Sequence, residues 1–171
     1  PYAWPLSLKM LLGVLLNNPF PMFLFWGPEQ YCFYNDAYRP SLGDDGRHVL
    51  ALGARGREFW TEIWHAIGPQ IDEVMRGGGS TWHEDQFLPI LRNGRMEDGY
   101  WTYSYSAAHD DDNRIAGVLV VCQETTSQVA LRQQLDLERS RLAVVFQQAP
   151  TFVAVLRGRN YVFEFVNEAC H

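Results

Sequence analysis

Apolar positions along the 171-residue chain change period several times, and each change marks an element. From Trp4 to Asn18, Leu8, Leu11, Leu12, Leu15 and Leu16 recur at three- and four-residue spacing, which places them on one face of a helix. Pro5 falls in its first turn, Ser7 offers another cap, and Asn17-Asn18-Pro19 ends it. Two aromatic-rich runs, Met22 to Trp26 and Gln30 to Tyr34, flank Gly27-Pro28-Glu29 and predict a β-hairpin. Asn35 and Asp36 then cap a short helix carrying Tyr38 and Leu42, and the Gly- and Asp-rich segment 43–56 reads mostly as loop. Phe59, Ile63 and Ile67, followed by Ile71, Val74 and Met75, form a helical stripe that Gly68-Pro69 is expected to divide into two helices.

Beyond Gly77-Gly78-Gly79 the period becomes that of strands. One strand is expected from Thr81 to Arg92, with Asn93-Gly94 turning the chain. The next, Tyr100 to Ala107, alternates Trp101, Tyr103 and Tyr105 with Thr102, Ser104 and Ser106. Ile115 to Gln123 is almost uninterruptedly apolar, as in a central strand buried on both faces. These elements predict an α+β fold, a five-stranded antiparallel sheet with helices on one face. A long helix from Thr126 to Gln148 completes the unit. Leu131, Leu135, Leu142 and Val145 occupy d, a, a and d of a heptad, with Glu138 at the intervening d. That seam suits a coiled coil and also a helix packed on its own domain.

The pattern then begins again. Aligning Pro21 with Pro150 gives an apolar strand, a turn, an aromatic strand and an Asn, Asn35 in the first copy and Asn167 in the second. The second turn, "LRGRN", is expected to be the longer. A repeated unit preceded each time by an amphipathic helix is an internal repeat. With Pro1 in place of Met and the second copy ending after two strands, a piece of a longer protein is expected.

Composition narrows the class. Hydrophobic residues make up 47% and charged ones 20%, which is globular. A net charge of -6 without a basic cluster argues against non-specific nucleic-acid binding. Cys32, Cys122 and Cys170 make neither a zinc pattern nor a disulfide framework, so a reducing cytoplasm is expected. No apolar run approaches the roughly 18 residues that a membrane span needs. The "RGGGS" run at 76–80 lacks the Lys of a phosphate-binding loop, and neither a phosphoacceptor-His signature nor an ATP-binding region is present. No enzyme is expected within these residues.

The stretches "WPLSLK", "FPMFLFWGPEQYCFYNDAYRPSLG", "FWTEIW", "LRNGR", "YSYSAAHDDDNRIAGVL" and "QETT" together resemble a PAS domain of bacterial sensor proteins, of the group found in sensor histidine kinases. The resemblance spans 4–126, and 149–171 resembles the first two strands of a second PAS domain. It implies a flanking helix at 1–19, a sensor domain at 20–126, a linker helix at 127–148 and a second domain starting at 149. It also implies a cytoplasmic, homodimeric input module with further PAS and kinase domains in the same chain. Kinase activity would lie outside these residues. Glu124, Thr125 and Thr126 stand where such domains carry the acidic-x-Thr junction to the outgoing helix. Leu131, Leu135, Leu142 and Val145 would form the dimer helix.

A sheet roofed by short helices can enclose a small ligand. The register implied by the resemblance turns Trp101, Tyr103, Tyr105, Val118, Val120 and Cys122 inward, with Phe59, Ile63 and Ile71 from the roof and Tyr38 from the short helix. These side chains line a pocket for an apolar or aromatic molecule or fill the core themselves, giving a pure interaction module. No cofactor is named by the sequence. Some PAS domains bind haem through a roof His, for which His65 is the candidate here, ahead of His48, His83 and His109. Flavin photochemistry needs a roof Cys, and none is present between 56 and 68. No metal set is expected, since His83 and Asp85 alone share a strand face.

Overall fold

The computed structural model describes residues 3–151, 153–160 and 162–166, with Glu164 and Phe165 by backbone alone. The chain divides into two compact units, Pro1–Thr126 and Ser127–His171. In the first, α1 (Leu6–Leu16) precedes the hairpin β1 (Met22–Trp26) and β2 (Tyr31–Tyr34). A 3-10 turn (Arg39–Leu42) and the short helices α2 (Arg47–Ala51), α3 (Gly56–Phe59) and α4 (Trp64–Met75) follow. Then come β3 (Thr81–Phe87), β4 (Ile90–Arg92), β5 (Arg95–Glu97), β6 (Tyr100–His109) and β7 (Ile115–Glu124). The expected five-stranded antiparallel sheet forms in the order β2-β1-β7-β6-β3.

Strand alternation sorts the apolar residues into two cores. Phe23 and Phe25 of β1 face one side with Val118, Val120, Tyr103 and Tyr105, under α4. Met22 and Leu24 face the other side, where Leu8 and Leu15 of α1 cover them. The flanking helix therefore lies on the face opposite the roof. Its first turn is capped from a distance: Asp111, in the β6–β7 turn, accepts from the backbone N–H of Ser7 at 2.7 Å and of Leu6 at 3.1 Å. Ser7 does not serve as the cap, which falls at Pro5.

Four sequence expectations need correction. Gly68-Pro69 does not split the roof helix, because α4 runs through both residues. Pro69 leaves one helical carbonyl unpaired, but Gly68 has no Cβ to collide with the proline ring. The strand expected from 81 to 92 is broken at Leu88-Pro89, and Asn93-Gly94, both at positive φ, turn the separate two-stranded sheet β4–β5. A proline cannot donate to a ladder, which ends β3 there. The central strand β7 is not buried on both faces throughout, since Val121 and Gln123 are exposed.

The fourth concerns the repeat. In the second unit α5 (Thr126–Gln147) leads to the antiparallel pair β8 (Ala154–Arg157) and β9 (Val162–Val166). The connection at 158–161 matches Gly27 to Gln30 in length, so the second turn is not longer. The additional residues lie before the strand: Met22 follows Pro21 directly, whereas Ala154 stands beyond Thr151 and Val153. Asn167 and Cys170 lie outside the described residues. Among the described residues no helix is long and apolar enough to cross a membrane.

Candidate functional site

The inner face of the sheet builds an aromatic cavity row by row. Cross-strand registers place Tyr34, Phe23, Val120 and Tyr105 in one line and Cys122 opposite Tyr103. Tyr38 descends from the turn that Asn35 caps, accepting the Tyr38 N–H at 3.1 Å. Trp60, Ile63 and Ile67 close the roof, and Leu88, Ile90 and Trp101 close one end. About 60 Å3 remains open between them. Of the residues singled out from sequence, Tyr38, Ile63, Trp101, Tyr103, Tyr105, Val120 and Cys122 wall this space. Phe59, Ile71 and Val118 pack in the surrounding core instead. Phe23 and Phe25 escaped the sequence analysis, although the two-residue period of their strand marks them as inward. Trp60, Ile67, Leu88 and Ile90 depend on how the roof and the β4–β5 hairpin fold back, which no local period shows.

Most polar groups of the wall are already engaged. The Trp101 indole N–H donates to the Leu88 carbonyl at 3.0 Å, and Tyr103 pairs with the Gln70 amide at 3.2 to 3.3 Å. Tyr38 and Tyr105 are both buried and both wall the space. Burial raises both phenols well above their ordinary range, so they stay protonated donors. Burial likewise pushes the Cys122 thiol up to about 12, which leaves it an inert wall group at neutral pH. Among the described residues no charged side chain lines the cavity.

His65 is exposed on α4 and is not part of the cavity wall, and a space this small admits no porphyrin. His83 stacks on Tyr103, with ring centroids 5.0 Å apart. Among the described residues no three metal-binding side chains converge.

The junction beyond β7 is a polar knot. Glu124 accepts both guanidinium arms of Arg92, at 2.8 and 2.9 Å, a bidentate charged pair. The Thr126 hydroxyl donates to Glu124 at 2.9 Å and accepts the Tyr100 N–H at 3.0 Å, while the Thr125 N–H donates to the Tyr100 carbonyl at 2.7 Å. Arg92 also donates from Nε to Glu97 at 2.6 Å. The hydrogen bonds from Arg92 hold both Glu124 and Glu97 below the usual carboxylate range. Of Thr125, the backbone is engaged while the buried hydroxyl has no partner among the described residues. The family resemblance singled out Glu124, Thr125 and Thr126 but gave no sign of Arg92.

No protein-family model matches the chain, and no curated protein matches it. Solved structures do. A PAS domain from Colwellia psychrerythraea aligns over 70% of this chain and 98% of its own, with a TM-score of 0.52 at 11% identity. The fold is that of a PAS domain. The phage VqmA–DPO complex gives a TM-score of 0.53 at 18% identity, over 77% of this chain and 58% of that one. An RNA-binding light-oxygen-voltage receptor gives 0.53 at 15%, over 82% of this chain and 39% of that one. At these identities the likeness concerns the PAS fold alone.

Proposed function

We propose that this PAS unit is the sensory input of a signal-transduction protein, and that its cavity takes a compact, uncharged, hydrogen-bonding molecule. The observation that carries this reading is the wall itself, aromatic and uncharged, with the phenols of Tyr38 and Tyr105 buried in it. A ligand with an acceptor atom can take a hydrogen bond from such a phenol, whereas a purely apolar one offers it none. The size follows from the space. A water needs about 10–15 Å3, and an engineered cavity of about 150 Å3 takes benzene, so 60 Å3 suits only a few heavy atoms. The absence of charge in the wall selects against ions.

The occupied and empty states would differ in how α5 leaves the domain, with a histidine kinase as the output in the same chain and α5 as the dimer helix. The unit beginning at 149 is read as a second PAS domain between them. Native mass spectrometry of the chain mixed with a low-mass metabolite extract tests the ligand. A retained small adduct is expected, lost in the Tyr38→Phe/Tyr105→Phe double variant. No adduct under any condition would leave a protein–protein interaction module with a filled core.

A further inference from the structure

We propose that Arg92 is a positioning residue that sets the start of the outgoing helix according to the state of the cavity, through the β4–β5 hairpin. The hairpin forms its own two-stranded sheet and is not laddered into the main one, so it can shift without breaking that sheet. Its first strand carries three consecutive residues with three different attachments. Ile90 is a wall of the cavity. Leu91 is held by the roof: its N–H donates to Glu62 at 3.2 Å, and its carbonyl accepts from Arg47, which is itself paired with Glu62. The Arg47 guanidinium lies 5.0 Å from the ring centre of Trp60, another wall residue. Arg92 reaches the junction through its two bonds to Glu124.

An extended strand advances only about 3.3 Å per residue, so a displacement at Ile90 is delivered to Arg92 almost undiminished. The guanidinium fork is rigid and bidentate, so Arg92 either carries Glu124 along or gives up both contacts. Glu124 holds the Thr126 hydroxyl, which in turn holds Tyr100, and Thr126 is the first residue of α5. The opposite side closes the circuit, because Trp101, a cavity wall, is the cross-strand partner of Glu124. Cavity, roof and junction thus meet within one short strand. The inference rests on the sensory reading for its purpose, but the mechanical link needs no ligand to be measured.

The test is a double-mutant cycle on the full chain, read by residue-resolved amide exchange at Thr125 and Tyr100, whose N–H groups close the junction. Ile90→Ala, which loosens the cavity wall, is expected to speed exchange at both amides by about tenfold. In an Arg92→Met background it should add nothing further. Ile71→Ala, an equal truncation off the cavity wall, should change these amides only as far as it changes global unfolding. Equal effects of Ile90→Ala in both backgrounds, or none with Arg92 present, would overturn the proposal. Should Arg92→Met not fold, Arg92→Lys removes the fork while keeping the charge, and the same cycle applies. Because no ligand is added, an empty cavity would defeat the sensory reading and leave this result standing, and an additive cycle would do the reverse.

Discussion

Asn35 is buried almost completely, and its side-chain amide binds five backbone groups. Its oxygen accepts from Met22 and Tyr38, and its nitrogen donates to the carbonyls of Leu15, Asn18 and Phe20. The sequence marks Asn35 as a cap and shows nothing of the other contacts, because they depend on where α1 ends in space. Asn35→Ala should lower unfolding stability by about 3 kcal/mol in urea denaturation, since it orphans several buried groups. A loss typical of a surface substitution would contradict that. Acid sensitivity also belongs at this scale. Glu124 and Glu97 are depressed by Arg92, and Asp111 by the N–H groups of Ser7 and Leu6. A depressed carboxylate favours the folded state above its unfolded value and loses that contribution as pH falls through the folded one. Urea midpoints should therefore hold from neutrality to about pH 5 and fall below about pH 4. Glu124→Gln should make the acid-side fall shallower, and an unchanged slope would deny Glu124 its part.

Helix α4 is where local sequence signals and tertiary packing disagree most. Gly68-Pro69 reads as a break, yet Ile67, Ile71 and Val74 are all buried against the sheet and keep the helix continuous. Packing of that face outweighs one missing hydrogen bond. Restoring the bond with Pro69→Ala should raise stability by about 1–2 kcal/mol, less than the full helix-interior penalty because proline also restrains the unfolded chain. A fall in melting temperature would mean that the proline shapes the roof in some other way. Strand β6 presents the opposite case, since strict alternation put Trp101, Tyr103 and Tyr105 on one face and the family register turned that face inward. The hairpin β4–β5 lay between these extremes: Asn93-Gly94 announced a turn, but nothing local distinguished a hairpin within the sheet from one beside it. For the same reason Ile90 and Arg92, which matter through long-range contacts, were not legible.

For the whole molecule, the order of elements sufficed to read the sheet, the roof and the outgoing helix. The side of the sheet that α1 covers became visible only in the packing of Leu8 and Leu15 on Leu24. Leu131, Leu135, Leu142 and Val145 are all exposed on α5, as a dimer seam would require before pairing. Sedimentation equilibrium should show a dimer that dissociates on Leu135→Asp, and a strict monomer at high concentration would remove α5 from that role. The central claim is the ligand-taking cavity, and the isoleucines allow it to be read directly. The chain holds five, of which Ile63, Ile67 and Ile90 wall the cavity while Ile71 and Ile115 do not. Methyl NMR of isoleucine-labelled protein titrated with acetone, acetamide or pyrazole supplies three reporters and two internal controls. Saturable shifts at Ile63, Ile67 and Ile90 with at least one probe, weakened by Tyr105→Phe while Ile71 and Ile115 stay still, are the predicted result. Cavity methyls that move no more than the two controls with every probe would contradict it.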